Sequence, residues 1–261
     1  MRNLSSSMSQ AAPNSVAASR RLWEVDLARG ITVILMIYFH LMWDLSFLGL
    51  SDVPIYSAGW QGFARGIGSS FNTLLGLSVY LTAQRLPDAG HVWRYGLRRG
   101  AMIIGLGLII TVATFFSAGD EFVRFGILHE LGVALILCTA LVRLPYLWNA
   151  TIALIMIAAG FALGNLRLDT PWLLWLNIVP PDMGMVDFYP LIPWGGFAVL
   201  GLALGPVFYP GGRRRFGLPD LGDFAPVRGL NFLGRNSLVI YLLHQPLILA
   251  LLYGYMRLLG R

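Results

Sequence analysis

Four ionisable residues share one apolar stretch, Trp23 to Leu48 (WEVDLARGITVILMIYFHLMWDLSFL): Asp26, Arg29, His40 and Asp44. On a helix turning about 100° per residue, His40 falls about 20° from Arg29, and Asp26 and Asp44 each about 60° from it. Asp44, one turn beyond His40 on the same face, can hold one ring nitrogen and leave the other free as a base. A base oriented in this way suits acyl transfer, in which the attacking group must lose a proton. The plainer reading is a polar clamp between helices, with Asp44 paired to Arg65. An ionised side chain at the centre of a membrane helix costs about 2.5–3.5 kcal/mol, so the stripe is expected to face a polar cavity rather than lipid.

Arg29 stands roughly 16 Å from His40 along the helix axis. Its planar fork of donors suits a phosphate, although taken alone it reads first as an interfacial anchor paired with Asp26. A second cationic feature lies at the same depth. The last apolar run opens with Gly234-Arg235-Asn236-Ser237, where Asn236 or Ser237 can cap a helix whose free N–H groups and dipole favour an anion. Together the two would cradle a phosphorylated donor such as a coenzyme A ester, and the Arg29–His40 gap matches the reach from its phosphates to its thioester. His244 shares a helical face with Ser237 and Tyr241 and reads as a core residue or pocket wall rather than as the base. His129 and Glu130 lie at a depth close to that of His40 and could line the acceptor side, or Glu130 could be an interfacial charge. Arg65, Ser69, Asn72 and Thr73 read as helix-packing polarity, and His91 as a solvated loop residue.

The elements that must carry these groups are membrane helices. Of 261 residues, 56% are hydrophobic and only 12% charged, with a mean hydropathy of +0.66, values suited to an all-α integral membrane protein. Apolar runs long enough to cross about 30 Å of hydrocarbon are expected at 27–49, 62–84, 98–117, 123–142, 147–165, 190–209 and 236–258. That gives a polytopic bundle of seven or eight spans. Residues 1–19 read as a disordered tail and 20–261 as one transmembrane domain; Pro171 to Pro180 is too short to span. With the N-terminus inside, 13 arginines fall on the inner side and four (Arg124, Arg167, Arg257 and Arg261) on the outer, while Asp52, Asp120, Glu121, Asp169, Asp182 and Asp187 lie outside. This distribution predicts an N-in orientation.

The net charge of +6 is spread over short loops and gives no nucleic-acid surface. Cys138 is the only cysteine and there is no lysine, which removes an internal disulfide, a cysteine-built metal site, a retinal Schiff base, a Ser-Lys dyad and a P-loop. No metal is expected. Gly62-xxx-Gly66 and Gly201-xxx-Gly205 would let helices approach closely.

Several blocks carry a family resemblance. They are Glu24-Val-Asp26-Leu-Ala-Arg29-Gly30, Met36-Ile-Tyr-Phe-His40 with Asp44-Leu45, Phe125-Gly-Ile-Leu-His129, Pro190-Leu-Ile-Pro193-Trp194, and Phe232-Leu-Gly-Arg235-Asn236-Ser237 running to Tyr241-Leu-Leu-His244-Gln245-Pro246. With these the chain resembles the heparan-alpha-glucosaminide N-acetyltransferase catalytic-domain family. The Arg29-to-His40 spacing is also similar to that of bacterial membrane O-acyltransferases. The resemblance implies a polytopic enzyme of the bacterial cytoplasmic membrane. It would move an acetyl group from cytoplasmic acetyl-CoA to a sugar or glycoconjugate hydroxyl or amine on the far side. Its partners would be the bilayer, acyl-CoA and that acceptor, with a homo-oligomer allowed. The lysosomal members place a catalytic histidine just before a Trp-Asn-Gly triplet. Here the matching stretch, Tyr56-Ser-Ala-Gly-Trp60-Gln61-Gly62, has none, so either His40 takes that role or the activity differs. The rival from another class is a transporter or channel using the same stripe.

Overall fold

The structure is a computed structural model that describes residues 22–260. The expected tail over 1–19, together with Arg2, Arg20, Arg21 and Arg261, lies outside the described residues. Among those described there are α-helices and short 3-10 turns and no strand. The α-helices are α1 (Trp23–Phe47), α2 (Ala58–Ala83), α3 (Ala89–Ala118), α4 (Ile127–Leu141), α5 (Tyr146–Leu163), α6 (Leu191–Phe208), α7 (Ala225–Arg235) and α8 (Ser237–Leu258). Local chemistry sets several of the ends. The Ser57 hydroxyl accepts the Trp60 N–H at the start of α2, and the Asp88 carboxylate accepts the His91 N–H at the start of α3. Glu24 and Asp26 lie in the first turn of α1, where negative charge suits the helix dipole.

Among the described residues, five helices are long and apolar enough to cross a membrane: α1, α3 with the turn after it, α5, α6 and α8. The outer helices turn Leu108, Ile109, Phe116, Leu154, Phe161 and Leu251 outward. Inside the bundle, by contrast, lie Asn72 and Glu130, both fully buried. An outer surface this apolar fits a hydrocarbon surround. α2 has ample length at 26 residues, but its Arg65, Asn72, serines and glycines dilute its hydropathy. α4 has 15 residues, fewer than the run 123–142 promised, because the chain before Ile127 is held in non-helical form.

α2, α4 and α6 form the centre. α5 packs on α6, α3 packs on α4, and α1 packs on α2 while carrying α7 and α8 on its other side. The closest crossing is between α2 and α6. A side chain at Gly76 would meet the Ala198 carbonyl, and one at Gly201 the Thr73 carbonyl. Gly201 and Gly205 therefore serve the packing expected of them, whereas Gly62 and Gly66 face open space. The structure also adds a helix where the sequence reading had an inner loop. α7 opens with Pro226 in its first turn and buries Val227, Asn231 and Gly234. Pro171–Leu176 is a 3-10 turn, as short as expected, with Trp172 exposed.

Candidate active site

The stripe on α1 faces its helical neighbours. Asp26 and Asp44 are buried, and Arg29 and His40 are partly so. At its lower end α1 and α7 cross so closely that a side chain on Gly30 would strike the Leu230 carbonyl and one on Gly234 the Asp26 carbonyl. That crossing brings Arg235 to Asp26, with Nε donating to Oδ2 at 3.1 Å. Arg29 Nη1 reaches the other oxygen of Asp26 at 3.3 Å, and its Nη2 donates to Ser78 Oγ on α2 at 2.6 Å. One carboxylate thus gathers two guanidiniums, leaving a net positive cluster with Arg235 about half exposed (48%). Asn236 does not cap α8, contrary to expectation. Its amide instead donates back to the Phe232 carbonyl on the preceding turn of α7 at 2.8 Å.

At the upper end the expected Asp44–His40 bond is not formed. Asp44 instead accepts from Gln245 Nε2 at 2.9 and 2.8 Å, and it does not pair with Arg65. His40 Nδ1 faces the Met36 carbonyl at 2.9 Å. The partner of His40 is His244 on α8, whose ring stands edge-on with centroids 4.7 Å apart and planes at 77°. His244 Nδ1 faces the Tyr241 carbonyl at 2.6 Å, and its Nε2 is buried with no partner.

Beyond this pair lie Asp187 and Tyr189, which sequence reasoning did not single out as site residues. Tyr241 lies in the fields of Asp187 and Tyr189, and Tyr189 in those of Asp187 and Glu130. Tyr189, Tyr241, Asp187 and His40 are all partly buried. Burial pushes the Asp187 carboxyl up to about 6, although the Ile127 N–H at the start of α4, 3.0 Å away, draws it back. Burial also raises the Tyr189 phenol, with the Asp187 and Glu130 carboxyls adding to the effect. The only signal in the sequence was position: both residues precede the Pro190-Leu-Ile-Pro193-Trp194 block.

Glu130 and His129 part company. Glu130 is fully buried toward α2, with Asn72 beside it but outside hydrogen-bonding geometry, so that neither carboxyl oxygen has a partner. His129 turns the other way. Its Nδ1 accepts the Gly126 N–H at 3.3 Å, and its Nε2 lies 3.5 Å from Thr111 on α3. It closes the start of its own helix. His91 is exposed against Asp88, as expected. Among the described residues no group of three or more His, Cys, Asp and Glu side chains could hold a metal. Two apolar clefts, of about 740 Å³ beside α2 and α6 and about 460 Å³ beside Arg124 and Trp172, lie away from the stripe.

The arrangement joins a cationic end, able to take phosphates, to a histidine end, able to move protons. No curated protein and no solved structure matches the chain. A family model described as heparan-alpha-glucosaminide N-acetyltransferase, catalytic, matches residues 21–246, so the chain belongs to this family, whose role is that of a membrane acetyltransferase.

Proposed function

We propose that this protein transfers an acetyl or other acyl group from cytoplasmic acyl-CoA to a sugar or glycoconjugate hydroxyl or amine on the far side of a bacterial cytoplasmic membrane. α1–α6 and α8 make seven crossings in this reading, with the N-terminus inside and α7 on the cytoplasmic side. One observation carries the proposal. A single face of α1, turned toward α2, α7 and α8, ends in an arginine cluster at one side and a histidine pair at the other. Arg29 and Arg235 hold the donor's phosphates, assisted by backbone near Asn236 and Ser237 at the start of α8. The acceptor oxygen or nitrogen bonds to the thioester carbonyl carbon while His40 Nε2 takes its proton. The C–S bond then breaks and the thiolate is reprotonated. Asp44 acts through Gln245, fixing α8 rather than the His40 ring. Asp187, Tyr189, Tyr241 and Glu130 border the acceptor's approach.

The transporter reading keeps one observation in its favour. Glu130 is a fully buried carboxyl without partners, the kind of group that relays protons or meets a solute in a membrane. Purified protein in detergent, given acetyl-CoA and a panel of amino sugars and sugars, should release free coenzyme A only when both substrates are present. Solute flux in liposomes with no coenzyme A released would instead establish the transporter.

A further inference from the structure

His40 and His244 are held in the same way. Each ring turns Nδ1 to a backbone carbonyl of its own helix, Met36 at 2.9 Å and Tyr241 at 2.6 Å. A carbonyl can only accept, so in the neutral rings Nδ1 carries the hydrogen and Nε2 the lone pair. Free histidine in water favours the opposite tautomer, so the two backbone contacts set both rings against their intrinsic preference. The consequence concerns the contact between the rings, 4.7 Å centroid to centroid. A structural clamp would join them by an N–H to N bond, but with both Nδ1 hydrogens spent on carbonyls neither neutral ring has one to give. His244 Nε2 is accordingly buried and unpartnered, a cost that packing alone does not explain. The balance changes once a proton arrives. A proton arriving at either Nε2 finds the other ring edge-on beside it, 4.7 Å away centroid to centroid.

Resting on the acyl-transfer reading, we infer that His244 is a second catalytic base and that His40 and His244 hold one proton between them. As the acceptor's oxygen or nitrogen bonds to the thioester carbonyl carbon, its proton passes to one of the two Nε2 atoms. When the C–S bond breaks, the proton returns from the pair to the departing thiolate. One proton enters, one leaves, and no other reactant is needed.

The test uses the full chain in detergent with two readouts. Nitrogen-15 NMR of histidine-labelled protein above neutral pH should show Nδ1–H and a bare Nε2 on both rings; an Nε2–H signal from either ring overturns the pair. Turnover is then compared across His244→Asn, His40→Asn and the double variant. Asparagine keeps an N–H for the Tyr241 carbonyl but removes the Nε2 lone pair. His244→Asn should therefore lose roughly 10²–10³-fold in turnover at unchanged donor KM. The double variant should fall little below the weaker single one, because the two act as a unit. His244→Asn within about threefold of wild type, at normal thermal stability, assigns the ring a structural role and overturns the inference. If wild type transfers nothing to any acceptor, the acyl-transfer reading fails and takes the catalytic role with it. A wrong tautomer with intact turnover overturns only the pair.

Discussion

Asp44 on α1 receives the Gln245 amide of α8 on both carboxylate oxygens, at 2.9 and 2.8 Å. Gln245 follows His244 directly in the chain, so this bond sets the height at which the His244 ring meets His40. α8 packs chiefly on α1, and its other sides present Leu243, Leu247 and Leu251 outward. Apolar contacts of that kind leave a helix free to slide or rotate in lipid. A buried polar bond fixes its register.

The Asp44–Gln245 bond is therefore expected to govern both stability and catalysis. Gln245→Ala leaves the Asp44 carboxyl buried without its donor, at a cost of about 1–3 kcal/mol. Asp44→Asn keeps an oxygen that can accept from Gln245 and should cost under about 1 kcal/mol. Thermal unfolding in detergent reads the difference. Equal melting temperatures for Gln245→Ala and wild type would mean that the contact does nothing.

His40 and Arg29 are expected to fail differently. His40→Ala should abolish transfer, a loss of roughly 10²–10⁴-fold, with donor affinity retained. Arg29→Ala removes a guanidinium that Asp26 and Ser78 hold in position. Its main effect should be on donor KM, raised about tenfold for each 1.4 kcal/mol of phosphate binding lost. Arg29→Lys should restore it only in part, since an ammonium cannot present a planar fork. Steady-state kinetics in acyl-CoA separate the two cases, and full turnover in His40→Ala excludes that residue as the base.

The stripe on α1 was legible because helical period alone decides which residues share a face, and Asp26 and Asp44 are buried as that period requires. The partners were not legible, since Gln245 meets Asp44, and Asp187 and Tyr189 come near Tyr241, only through the packing of distant segments. The opposite facing of His129 and Glu130 was hidden for a local reason. The His129 bond to Gly126, three residues back, turns the ring toward α3 while Glu130 beside it points to α2. α7 escaped because its glycines and arginines hide a short helix within what reads as a loop. Its signal was Pro226 in the first turn followed by Val227, Leu230, Asn231 and Gly234 at helical spacing.

The α2–α6 crossing makes a prediction about folding alone. At Gly76 an added methyl group would meet the Ala198 backbone carbonyl, and neither helix can yield without opening the centre of the bundle. Gly76→Ala should destabilise by about 1–3 kcal/mol, the usual cost of overpacking, or prevent folding. Gly62→Ala, on the same helix in open space, should be neutral or slightly stabilising, as helix propensity favours alanine by about 1 kcal/mol. Yield and melting temperature of the two variants give the comparison; equal behaviour would place the crossing wrongly.

Asp187 links the loop before α6 to the start of α4, and its titration should be visible in stability. Its ordinary value is 3.8, and burial lifts it to about 6 in the folded protein. Between those values the folded state holds the proton and the unfolded chain has lost it. Stability from this group therefore falls as pH rises from about 4 to about 6 and is level beyond, once both states are ionised. The penalty is complete above the folded value and absent below the unfolded one. Asp187→Asn cannot ionise but still offers an oxygen to the Ile127 N–H, which donates to Oδ2 at 3.0 Å in the native protein. Melting curves of wild type and variant between pH 4 and 7 should converge at the acid end and separate toward neutrality, the variant being the more stable. Parallel curves over that range would mean that the carboxyl titrates as if exposed, and that its surroundings stand open to water.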